Sequence, residues 1–113
     1  MAFEDLDVWK RASALSVEIY RYFASHKDFA FRDQITRSGL SVPSNVAEGC
    51  ERNSSPELAR FVTIAKGSAG ELRTQIHIGC EIGYIDVDTA SRWIEEIKEL
   101  SRMLQGLKRS VQA

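Results

Sequence analysis

Nowhere does this 113-residue chain approach the roughly 18 consecutive apolar residues that a membrane-spanning helix needs. Cysteine is scarce. Cys50 and Cys80 are too few for a disulfide framework, so both thiols are expected to be reduced and the protein cytoplasmic. Two prolines and seven glycines are too few for a β-rich domain with many tight turns. An excess of one charge is also missing: 15 basic residues face 16 acidic ones, for a net charge of −1, so net charge makes no general case for nucleic-acid binding. The opening MAFEDLDVWK carries acids where a secretion signal would need a basic start and an apolar run.

What is present is ordinary globular composition, 43% apolar and 27% charged. Residues 1–113 are expected to form one domain, with disorder confined to the last few residues. Apolar residues recur at alternating spacings of three and four in four successive segments, the period of a helix with one buried face. In the first, Asp5 or Asp7 can cap, and Trp9, Ala12, Ser16, Ile19 and Phe23 follow, flanked by Val8, Leu15 and Tyr22. After the polar break Ser25–Asp28, a second helix is predicted from near Phe31 through Ile35, Ser38, Val42, Val46 and Cys50. Pro43 lies inside it and removes one helical hydrogen bond at Gly39, which predicts a kink; the alternative is a break with a restart at Ser44 or Asn45. Ser54 and Glu57 have capping-box spacing around Pro56, and the third helix is predicted through Leu58, Phe61, Ala65, Ser68, Leu72, Ile76 and Gly79, with Gly83 closing it. Asp86 or Asp88 opens the fourth, in which Trp93, Ile97, Leu100, Leu104, Leu107 and Val111 form an unbroken seam. The fold class is therefore all-α, an antiparallel up-and-down four-helix bundle.

Three stretches are distinctive: the opening FEDLDVWKRA, the motif SVPSNVAEG at residues 41–49, and FVTIAKGSAGELRTQIHIGCEIGY at residues 61–84. Together, and in this order, they resemble the four-helix-bundle proteins of the 23S rRNA intervening-sequence (S23) family over nearly the whole chain. The resemblance implies a bundle that assembles into a ring-like homopentamer, encoded in or outside intervening sequences of bacterial 23S rRNA genes. It also implies kinship with the accessory proteins of retroelements, whose basic surface engages nucleic acid. Those relatives are strongly basic, whereas this chain is near neutral.

Arg37, Asn45, Glu48 and Glu71 are the polar residues that stand out. The first three can share a helical face and the fourth lies on the facing helix, as a polar network fixing helix register or a subunit contact; a ligand or phosphate site is the competing reading. The small-residue run Gly67–Gly70 predicts close backbone packing and lacks the Lys-Ser/Thr of a phosphate loop. His77, Cys80 and Glu81 could meet on one helix surface, but nothing completes a zinc set and no Glu-x-x-His pair occurs; no metal or cofactor is expected. No nucleophile, acid or base constellation emerges, so the expectation is a non-enzyme. The acid-free end of the chain, with Arg102, Lys108 and Arg109, is the candidate nucleic-acid contact. The expected partners are further copies of the chain and RNA or a ribonucleoprotein, and the alternative is a protein-interaction scaffold that touches no nucleic acid.

Overall fold

The computed structural model describes residues 1–112, which form a rod of 43 × 21 × 20 Å. A single 3-10 turn, Phe3–Asp5, precedes four helices: α1 (Asp7–Tyr22), α2 (Phe29–Glu51), α3 (Ser55–Glu81) and α4 (Val87–Gln112). No strand occurs among the described residues. Short turns force each helix to run back along its predecessor, giving the predicted antiparallel bundle, and α3, at roughly 1.5 Å per residue, spans nearly the full length of the rod.

The seams are the predicted ones. Ala12, Leu15 and Ile19 from α1 meet Ile35, Val42 and Val46 from α2, Val62, Ala65, Leu72 and Ile76 from α3, and Trp93, Ile97, Leu100 and Leu104 from α4 in one continuous core. At one end the rings of Phe23, Phe31, Tyr84 and Trp93 pack edge-on or tilted, joining the first turn to the third. The α2 helix is continuous through Pro43, so a break restarting at Ser44 or Asn45 does not form.

The caps differ from expectation. Neither Asp5 nor Asp7 caps α1. Leu6 occupies that position without a side-chain bond, and Asp7 acts only as a favourable charge in the first turn. The α2 helix begins two residues earlier than predicted because the Asp28 carboxylate accepts the Phe31 amide at 3.1 Å. The Ser54–Glu57 box does not close: Ser54 makes no side-chain cap bond, and Glu57 turns to Arg60 at 2.8 Å. Pro56 does occupy the first turn of α3. Asp86 caps α4 by accepting the Thr89 amide at 2.8 Å, and Gly83, at φ +83°, ends α3 in the left-handed conformation.

Two glycines permit close approach, and neither belongs to the small-residue run at 67–70, of which only Ser68 and Ala69 are buried. A Cβ on Gly49 would lie 2.9 Å from Phe61 Cβ, and one on Gly79 would lie 2.7 Å from Ile85 Cδ1. Gly67 and Gly70 face open space.

Candidate functional site

Asn45 and its surroundings hold α2 against α3. Its amide donates to the Ser41 carbonyl at 2.8 Å and to Ser41 Oγ at 2.9 Å, and Ser41 Oγ lies 2.8 Å from Ser68 Oγ. The first half of the SVPSNVAEG motif thus forms a short polar clasp on Ser68, a residue the helical pattern had placed with the core. Glu48 does not join it. Glu48 is exposed and pairs with Arg52 at 2.9 Å, one turn along its own helix. Arg37 and Glu71 are also exposed, and neither makes a hydrogen bond or ion pair among the described residues. Within one chain the four polar residues therefore do not form a network. Of the two structural roles expected for them, register and subunit contact, Arg37 and Glu71 are free only for the second.

The basic end of α4 is smaller than its sequence suggested. Arg102 is not free of acids: it reaches back one turn to Glu99, at 2.8 Å. Lys108 is half-buried, Arg109 is exposed, and neither has an ion-pair partner among the described residues. Elsewhere six of the twelve bases pair with acids: Arg11, Arg32, Arg52, Arg60, Arg92 and Lys98. Arg11 pairs with Glu96, and Arg92 with Glu18 at 2.7 Å, lacing α1 to α4 across an open cleft of about 560 Å³. The buried Trp93 indole also donates to Glu18, and that bond together with Arg92 holds the Glu18 carboxyl below its ordinary range. Arg60 and Arg52 both lie over the Phe61 ring, at 4.5 and 5.1 Å.

Cys50 and Cys80 are free thiols, both half-buried. Burial pushes the Cys50 thiol up, away from the thiolate that nucleophilic or redox chemistry uses. His77 is exposed, and no group of three or more metal-ligating side chains forms among the described residues.

Two surfaces escaped the sequence reading. Between α1 and α2, exposed Val17, Tyr20 and Leu40 floor adjoining clefts of about 450 and 420 Å³, rimmed by Arg21, Arg32 and Arg37. On α3, Ile64, Gly67, Glu71, Thr74 and Ile78 make a second stripe that is exposed throughout. Its signal was already present as alternating spacings of three and four, offset from the buried stripe. At the edge of this stripe Gln75 Oε1 is buried without a donor.

A family model described as 23S rRNA-intervening sequence protein matches residues 4–106. No relative among curated proteins matches the sequence. A solved structure from Bacteroides thetaiotaomicron, described as a protein with unknown function from the S23 ribosomal protein family, superposes with a TM-score of 0.83. It is 22% identical, and the match covers 89% of this chain and 97% of that one, a likeness of fold.

Proposed function

Because this chain belongs to the 23S rRNA-intervening sequence protein family, we propose that it is a non-enzymatic, self-assembling cytoplasmic protein that binds structured RNA or a ribonucleoprotein. The observation that carries the RNA reading is local. Beyond Leu100 the chain has no acid, and there Lys108 and Arg109 are cations without a counter-ion among the described residues. One copy offers too few contacts for tight binding, since each phosphate contact contributes only about −0.9 to the logarithmic salt slope on duplex. An assembly of five, as the family resemblance implies, multiplies that end of the bundle.

A second reading has its own observation. Six arginines are already engaged by carboxylates: Arg11, Arg32, Arg52, Arg60, Arg92 and Arg102. A surface neutralised to this extent suits a protein-interaction scaffold. Filter retention of structured RNA at low and physiological salt separates the two. RNA binding that weakens with salt, and whose slope flattens when Lys108 and Arg109 become Gln, supports the RNA reading. An assembled protein that retains no RNA even at low salt leaves the scaffold.

A further inference from the structure

A helix inside a bundle needs one stripe at three–four spacing, and α3 has a second, with an exposed isoleucine at each end. The buried one runs through Phe61, Ala65, Leu72 and Ile76. The other is solvent-facing: Ile64 is 41% exposed and Ile78 49%, with Gly67, Glu71 and Thr74 continuing the three–four spacing between them. Gly67 presents bare backbone, because a Cβ there would meet nothing within 4 Å. The stripe carries one charge, Glu71, which has no partner among the described residues.

The clefts between α1 and α2 have the complementary character. Val17, Tyr20 and Leu40 are 46–48% exposed on their floor, and the two clefts are continuous because both include Tyr20 and Leu40. Three arginines stand around them against a single acid, Asp33. Arg32 is partly neutralised, with Asp33 at 3.5 Å and the Phe29 ring beneath it, but Arg21 and Arg37 have no ion pair among the described residues. One surface is thus a ridge with an isoleucine at each end and a negative charge and bare backbone between them. The other is an apolar groove with a positive rim.

We propose that the α3 ridge of one copy seats in the α1–α2 groove of a second copy, with Glu71 of one opposed to Arg37 of the other. The contact rests on the self-assembly reading above and gives it a surface. A second copy is the occupant because the ridge's negative charge faces the groove's positive rim, the isoleucines at the ridge ends face its apolar floor, and both surfaces belong to the same chain. Because the two patches differ, a pair keeps one groove free on the first copy and one ridge free on the second. Such head-to-tail contacts close into a ring or extend without limit.

The test uses the full chain and follows its molar mass by light scattering and its association constant by sedimentation. Arg37→Glu alone and Glu71→Arg alone should each weaken association at least ten-fold, and the two together should restore it to within a few-fold. Both side chains are exposed, so circular dichroism should show each variant folded. Val17→Lys in the groove and Ile78→Lys on the ridge probe the contact away from the charges, and each should lower the assembled fraction. A wild-type monomer at tens of micromolar overturns the self-assembly reading and this contact with it. A wild-type oligomer that none of the four single variants weakens overturns this contact alone. Weakened singles that the double variant fails to restore overturn the pairing of Glu71 with Arg37.

Discussion

Three glycines on long helices should answer the same substitution with opposite signs. In an open helix interior, alanine is favoured over glycine by about 1 kcal/mol. Gly67 has nothing within 4 Å of an added Cβ, so Gly67→Ala should stabilise the isolated chain by nearly that amount, raising its melting temperature by roughly 4 °C for a domain of this size. Gly49 gains the same helical preference but meets fixed atoms: Phe61 Cβ at 2.9 Å and the Leu58 Cα at 3.3 Å. Neither can rotate away, so α2 and α3 must part. Overpacking of this kind costs about 1–3 kcal/mol, and Gly49→Ala should therefore come out destabilising by up to about 2 kcal/mol. Gly79 lies between the two. Its nearest contact is Ile85 Cδ1, the end of a flexible side chain, although Phe31 Cζ at 3.0 Å limits the relief. Urea unfolding followed by circular dichroism should give the order Gly67→Ala, wild type, Gly79→Ala, Gly49→Ala from most to least stable. It should be run at protein concentrations low enough to keep the chain monomeric, because assembly adds stability by mass action. A Gly49→Ala protein as stable as wild type would refute the claim that this glycine exists to let α3 approach α2.

Acid should weaken the fold through identifiable carboxylates. Amide and hydroxyl donors hold Asp28 and Asp86 below the ordinary carboxylate range, and Trp93 with Arg92 does the same for Glu18. Folded values depressed below the unfolded ones mean that their stabilisation is complete above about pH 4 to 5 and is lost as pH falls through the folded values. Melting temperature should drop across that acid window, and Asp86→Asn should make the drop shallower. Gln75→Leu removes a buried acceptor that lacks a donor, so thermal unfolding should show it neutral or more stable, by up to about 1 kcal/mol; a clear loss would show that the amide has an unseen partner. Ile97→Ala empties a fully buried position on the α4 seam and should cost about 2–5 kcal/mol by urea titration.

Periodicity made the four helices legible, because the burial demanded of a bundle leaves its mark every three or four residues. Ile35, Leu72 and Trp93 were placed in the core from spacing alone, and all three are buried. Caps were less legible because several side chains compete for one amide. Asp28 lay in the stretch read as a polar break, and Glu57 had capping spacing but found Arg60 closer. The basic end is smaller than its composition suggests for a related reason: the acid that neutralises Arg102 is Glu99, just before the acid-free stretch. The small-residue run at 67–70 signals a close neighbour, and Ser68 and Ala69 find it in the same chain while Gly67 and Gly70 face open space. The four polar residues divide in the same way. Asn45 finds Ser41 within the chain, whereas Arg37 and Glu71 have no hydrogen bond or ion pair among the described residues.

Self-assembly underlies both the proposed function and the proposed contact, and the molar mass of the unmodified chain in solution tests it most directly. Light scattering on the eluting peak of a sizing column, at tens of micromolar protein, should return one species at about five times the chain mass of 12.7 kDa. A single monodisperse peak at the mass of one chain would contradict it.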